Sequence, residues 1–514
     1  MARTATSHAR HASHPVAAEA LPTPSGSGHG VRSAGYDLTR HRWAARWLRA
    51  PSWQFQLILP NQILFWVVIV VGLVGTSEPE LNFATAITWY VWFCLVFVLV
   101  VTTGRGWCAA CPFGGLAEWI QRRTPWHRTG DGRPLGLGLP FPEVLGRYGY
   151  LLPVATFALL TWVEEFFEIA GPGDPPLTSA MVVAIIVVAV VMFLVFGRRT
   201  FCRYLCPLSS VIGVLGTQAP LAGFRARDRQ VCLDCATKDC LRGNENGYGC
   251  PWFNWPGSAE TNLNCGLCGE CFRTCPSANV GLYVEPPLTG VIRPGGRRAD
   301  VAWSVAGLAA IVVYQQLNAT AVYTVVDDEL NRLTHLPHYP NPVAYLGVIG
   351  VVVLLVAAPA WFAGRWLVRP GAVPPGGGDS FVYRRTPFRA VFLPSMYAAV
   401  PLVGADYLAR QLPKFMDNAA KVIPAAGNLL GLGRGAGSAL SSVTMGGTGT
   451  VVTAQLVTLA LGAGASLYAA YRIGQAELAP VVRVPVVARA GLPALVIAGG
   501  VVMGWLYVLI QAAE

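Results

Sequence analysis

Twelve of the thirteen cysteines fall in four short motifs, each closed by Cys-Pro. The densest is Cys265-x2-Cys268-x2-Cys271-x3-Cys275-Pro276, a spacing that suits a [4Fe–4S] cluster. Three close thiolates on a tight loop take three corners of a cubane, and the fourth ligand must come from elsewhere. A stretched version, Cys232-x2-Cys235-x4-Cys240-x9-Cys250-Pro251, stands just upstream. Where two clusters share such runs, the fourth cysteine of each crosses to the other cluster. That predicts Cys232, Cys235, Cys240 and Cys275 on one cluster, and Cys265, Cys268, Cys271 and Cys250 on the other. Gly247, Gly249, Gly266 and Gly269 let backbone N–H groups approach the sulfurs. The competing reading is a pair of four-cysteine zinc sites, but these pair two C-x-x-C knuckles and need neither three consecutive ligands nor the closing proline.

The other four cysteines form two matched pairs, in GRGWCAACPFGGLAEW and GRRTFCRYLCPLSSVIG. They read Cys108-x2-Cys111-Pro112 and Cys202-x3-Cys206-Pro207. Proline favours the first position of a helix, so Cys111 and Cys206 stand where an N-cap would be. The helix dipole and free N–H groups there stabilise an anion and lower a thiol's pKa, and Arg105, Arg198 and Arg199 add positive charge. Cys108, Cys111, Cys202 and Cys206 are thus candidate redox-relay residues or ligands of an additional iron–sulfur or other metal centre, with a dithiol/disulfide couple as the alternative. The bland reading is four small buried side chains at helix bends. Cys94, alone in an apolar run, is expected to be packing.

The elements that position these motifs follow from composition. Of 514 residues, 53% are hydrophobic and 13% charged, against about 25% charged in a soluble globular chain. The net charge of +11 is scattered, which argues against a nucleic-acid partner and for lipid. Apolar runs near 57–75, 84–103, 149–168, 180–197, 301–318, 342–364, 388–408, 450–471 and 491–511 approach the roughly 20 residues a bilayer requires. The expected fold is an all-α polytopic membrane protein of eight or nine transmembrane helices, with an inserted cytoplasmic bacterial-type 2[4Fe–4S] ferredoxin-like domain.

Residues 1–40 lack any apolar period and read as a disordered tail. Residues 41–217 read as a membrane core of two repeated hairpins, each ending in a Cys-Pro pair, and a two-fold axis along the membrane normal would bring the pairs face to face. Residues 218–300 read as the soluble cluster domain, and 301–514 as further spans of unknown role. Arginines crowd the segments before 57, from 104 to 148 and after 197, while TSEPELNF and IAGPGDPPLTS have none. The bias puts the N-terminus and the cluster domain in the cytoplasm, at the cell membrane. Glu164, Glu165 and Asp406 fall within apolar runs and are candidates for proton handling. His335 and His338 lie on an expected outer loop.

These motifs resemble the membrane polyferredoxins typified by NapH and the C-terminal half of NosR, with the CcoG/FixG accessory proteins as more distant relatives. The resemblance covers about residues 57 to 290 and is carried by the two Cys-Pro pairs and the eight soluble cysteines. It implies an oxidoreductase-type electron-transfer protein that passes electrons between a membrane donor such as quinol and a redox partner protein, with two [4Fe–4S] clusters on the eight soluble cysteines. The chain departs from the pattern in the unequal spacing of its two pairs, in the stretched first run and in residues 301–514. That last departure keeps a second class open: a transporter or assembly factor whose C-terminal helices act while the ferredoxin part senses redox state or supplies electrons.

Overall fold

A computed structural model of the chain describes residues 35–124, 135–169, 174–294, 296–335, 339–369, 386–431, 444–483 and 485–511. The structure is 72% helical. A strand, β1 (Tyr36–Asp37), and a short amphipathic helix, α1 (Arg42–Arg49), lead into the first apolar hairpin, α2 (Trp53–Val74) and α3 (Phe83–Thr103). The Cys108/Cys111 turn and α4 (Pro112–Arg122) follow. The second hairpin, α5 (Leu151–Phe166) and α6 (Pro175–Phe196), leads through the Cys202/Cys206 turn into α7 (Leu208–Gln218). The cluster segment then runs from β2 (Leu221–Ala226) through α8 (Glu270–Thr274) to β3 (Val280–Val284). The C-terminal part comprises α9 (Ala299–Leu317), α10 (Ala321–Thr334), α11 (Pro342–Leu367), α12 (Pro387–Asn418), α13 (Thr448–Ile473) and α14 (Pro485–Gln511).

Among the described residues, seven of these helices are long and apolar enough to cross a membrane: α2, α3, α6, α9, α11, and the helices that begin at Pro387 and Thr448. The third and ninth apolar runs form α5, of 16 residues, and α14. Helix α9 is the most enclosed of the seven, with 72% of its apolar window buried, whereas α11, at 17%, is the least. One apolar core joins the two halves: Val96, Phe97 and Phe157 pack with Val305, Leu308, Phe392 and Tyr407.

Two expectations are corrected here. The run near 388–408 is a helix that continues to Asn418, because Pro401 and Pro413 bend it without ending it. Ser466 Oγ accepts the backbone N–H of Leu402 at 2.9 Å, satisfying the donor next to Pro401. Arg410 and Lys414 therefore lie in a helix and not in a loop. Residues 36–40 are also ordered: Tyr36 and Asp37 pair with Val284 and Tyr283 on the free edge of β3, giving the order β1-β3-β2 with antiparallel pairing throughout. Asp37 fixes this edge by accepting from Thr39 N at 2.8 Å and Arg227 Nε at 2.9 Å. His335 ends α10 in a left-handed conformation, and His338 lies outside the described residues.

Candidate metal centres

The two Cys-Pro turns share a backbone geometry. Cys111 has φ −66° and ψ 122°, Cys206 has φ −58° and ψ 118°, and both precede the proline that begins a helical stretch. π-helical turns at Ala86–Trp92, Phe201–Leu205 and Val211–Leu215 surround them, the wide-turn irregularity common at functional sites. The four cysteines are neighbours: Cys206 is within electrostatic reach of Cys202, Cys111 and Cys108. Together they line one end of a cavity of about 90 Å³ between α2, α3, α5 and α6, whose walls are almost wholly apolar and which Glu164 also borders.

The pairs are interlocked crosswise. Arg105 and Arg199, each three residues before a cysteine and each 1% exposed, point Nη1 at the sulfurs of Cys108 (3.7 Å) and Cys202 (3.9 Å). Each guanidinium then reaches into the other repeat. Arg105 donates to Ser209 O and Oγ at 3.2 Å, and Arg199 donates to Glu118 Oε2 at 2.8 Å and to Cys108 O at 3.5 Å. A Cβ on Gly213 would stand 2.2 Å from Arg105 Nη2, and one on Gly114 would stand 2.2 Å from Arg199 Nη1. Any side chain at either glycine would displace the arginine. Arg105 also donates to Leu263 O at 2.5 Å and to the Tyr150 hydroxyl at 2.8 Å, tying the pairs to the cluster segment.

The expected lowering of the thiol pKa at these helix starts is overturned. Burial pushes Cys111 up to about 11 and Cys202 up to about 12, outweighing the Gly114 N–H at Cys111 and Arg199 at Cys202. Burial acts through desolvation of the thiolate, which one N–H or one guanidinium does not offset. Arg198 is half-buried and acts on Cys250 rather than on the pairs. Cys94 is 5% exposed within α3, as packing requires.

In the cluster segment Cys240 is within electrostatic reach of Cys232, Cys275, Cys250 and Cys235, and Cys271 of Cys250, Cys268, Cys265 and Cys240. This neighbourhood is compatible with the crossed assignment, and the two runs approach each other at Cys240 and Cys250. Left-handed residues make the loops tight: Lys238 (φ +52°), Leu267 (φ +51°), Gly249 and Gly269 (both φ +73°). N–H groups reach the sulfurs, from Phe224 N to Cys265 (3.4 Å), Asn279 N to Cys275 (3.2 Å) and Asn279 Nδ2 to Cys232 (3.3 Å). A Cβ on Gly223 would meet Cys265 Sγ at 3.0 Å.

Burial, then the neighbouring thiolates, push Cys240 up to about 12. Four thiolates gathered this closely demand compensating positive charge, and N–H donors aimed at sulfur suit the cofactor that supplies it. Cys235, the least buried of the eight, is the exception: the Lys238 N–H leads in holding its thiol below the ordinary range. All thirteen cysteines are free of disulfides.

Sequence reasoning missed the groups that join the sets. Trp252 lines the cavity, lies against Gly266, and stacks under Arg105 at 4.5 Å. Cys240 also feels Cys250. Alternating charges run alongside, Arg199 to Glu118 (2.8 Å), Glu118 to Arg122 (3.3 Å), Arg122 to Glu270 (3.7 Å) and Glu270 to Arg273 (2.6 Å). Glu118–Arg122 and Glu270–Arg273 are pairs within one helix, whereas Arg199–Glu118 and Arg122–Glu270 join different elements and leave no local pattern in the sequence.

Residues 85–134 and 178–217 match the family model of a 4Fe–4S binding domain. The match supports an iron–sulfur protein, and its two segments are the two halves that carry Cys108/Cys111 and Cys202/Cys206; the ferredoxin-like runs lie beyond it. No curated protein and no solved structure matches the chain.

Proposed function

We propose that the protein carries electrons between a lipophilic donor in a membrane and a soluble redox partner, through three iron–sulfur centres. Cys108, Cys111, Cys202 and Cys206 hold the first, Cys250, Cys265, Cys268 and Cys271 the second, and Cys232, Cys235, Cys240 and Cys275 the third. The observation that carries this reading is the succession of three four-cysteine sets, linked first by Arg105 and Trp252 and then by Cys240 beside Cys250. Such clusters supply one-electron transfer at a potential set by hydrogen bonds to sulfur, burial and net charge. The buried arginines offset the negative charge of the first set, and the N–H donors do so for the others.

The cavity beside the first set suits the ring of a hydroquinone, with Leu64, Phe65 and Ile185 on its walls and Glu164 at its border. At the other end, Cys235 lies near exposed Val231 and Leu233, where a soluble partner would dock. The arginine-rich ends place this face in the cytoplasm.

Anaerobic EPR and chemical analysis of the full-length protein test this. Three cubanes give about twelve irons per chain and reducible iron–sulfur signals. Zinc in place of iron, with no reducible signal, overturns it.

A further inference from the structure

Outside the cysteine sets, one fully buried polar cluster joins three helices of the C-terminal part. Asp406 on α12 and Gln316 on α9 are both 0% exposed. Asp406 Oδ1 accepts from Gln316 Nε2 at 2.6 Å and from the Tyr507 hydroxyl of α14 at 2.9 Å. Two oxygens in this contact have no partner, Asp406 Oδ2 and Gln316 Oε1. An orphaned buried acceptor destabilises the fold, and an ionised carboxylate among apolar helices does so more strongly. A hydrogen on Oδ2 removes the charge and turns that oxygen into a donor, with the amide oxygen as the acceptor left over in the same cluster.

The charged neighbours form a ladder. Arg410 and Lys414 follow Asp406 at four-residue spacing on the same face of α12. Arg410 acts on Asp406 without forming a salt bridge, and both cations face Glu164 on α5. Glu165 beside it accepts from Asn318 Nδ2 at 2.9 Å. Tyr407 donates to Leu308 O at 2.9 Å, and from α13 Gln455 donates to Ala409 O at 3.2 Å, so neither competes for Asp406. Glu164 in turn borders the four-cysteine cavity.

We propose that Asp406, Gln316 and Tyr507 form a proton-binding site within the C-terminal helices, and that Lys414, Arg410 and Glu164 connect it to the cavity beside Cys108 and Cys206. The step is carboxylate plus proton giving carboxylic acid, with no electron moved at this site. It gives residues 301–514 a chemical role that stands independently of which cofactor the cysteines hold.

Infrared absorption of the full-length protein tests it. The carbonyl stretch of a protonated carboxylic acid is expected, shifted in D2O, lost in Asp406→Asn and displaced but retained in Tyr507→Phe. Glu164→Gln is expected to slow hydrogen–deuterium exchange of that band severalfold. A spectrum unchanged by Asp406→Asn overturns the site, as does sodium-dependent thermal stabilisation without the band, which would make it a cation site. If Asp406→Asn does not fold, Tyr507→Phe alone decides: an undisplaced band overturns the proposal. Unchanged exchange in Glu164→Gln overturns the connection.

Discussion

The N-terminal and C-terminal halves bury their polar groups by opposite means. Up to residue 300, much of the buried charge is gathered around sulfur: Arg105 alone reaches a thiol, two hydroxyls and two carbonyls. Beyond residue 300, helices pack mainly through apolar surface, and buried polar residues such as Asp406 are set into it. Metal ligation tolerates few residue types and so marks a sequence, whereas packing tolerates many and leaves only hydrophobicity. The difference teaches that the half with the plainest motifs is also the half that needs the other: Phe97 stacks on Tyr407 at 5.3 Å within a shared core.

That dependence is open to direct attack. The largest effect is expected from deleting residues 301–514, which strips the apolar cover from α3, α5 and α7. The truncated chain should fail to accumulate in the membrane fraction, and a truncated chain that accumulates with its iron would make the halves separable. Next, Cys206→Ser should remove about four irons per chain while leaving the signals of the other two sets; undiminished iron would return the Cys-Pro pairs to packing.

A third, smaller effect concerns Glu118. Glu118→Ala leaves Arg199 buried without its carboxylate and should cost about 3–5 kcal/mol in thermal or denaturant unfolding. Burial alone would raise the Glu118 pKa, but Arg122 and Arg199 outweigh it and hold the carboxyl at about 2. Because the folded state favours the ionised form, this contribution is complete above the unfolded value of about 4.3 and is lost as pH falls through the folded one. Glu118→Ala should therefore flatten the acid limb of the stability profile, and an unaltered limb would contradict the pairing. The smallest effect is expected from Asp37→Ala, about 1 kcal/mol, since it removes a cap and a partly exposed ion pair at the sheet edge. No loss at all would mean that β1 adds nothing to the cluster segment.

The division between the halves also decides what could be read from sequence. The four Cys-Pro motifs and the apolar runs are local patterns, and each apolar run corresponds to a helix in the structure. The reciprocal fit of Arg105 with Gly213 and Arg199 with Gly114 is not local, because the partners are far apart in the chain. Asp406, Gln316 and Tyr507 likewise come from three helices, and only their packing brings them together. The apolar run read from sequence stops near 408, whereas the helix continues to Asn418 with Pro394, Pro401 and Pro413 inside it, a serine on α13 taking the N–H beside Pro401. The pKa expectation at Cys111 failed for a related reason: a cap position is visible in sequence, but the depth of its burial is not.

The crosswise pairing of the two hairpins has one more consequence. Each contributes two sulfurs, one arginine, and one glycine that receives the other's arginine. Such reciprocity, in which one copy's residue meets the second copy's counterpart and the reverse, is the signature of an isologous contact between identical subunits. A polypeptide with a single hairpin would carry half of the first centre and would need a twin, inserted in the same direction, to complete it. In this chain both hairpins are on one polypeptide, so the four cysteines of the proposed first centre are spread over about a hundred residues.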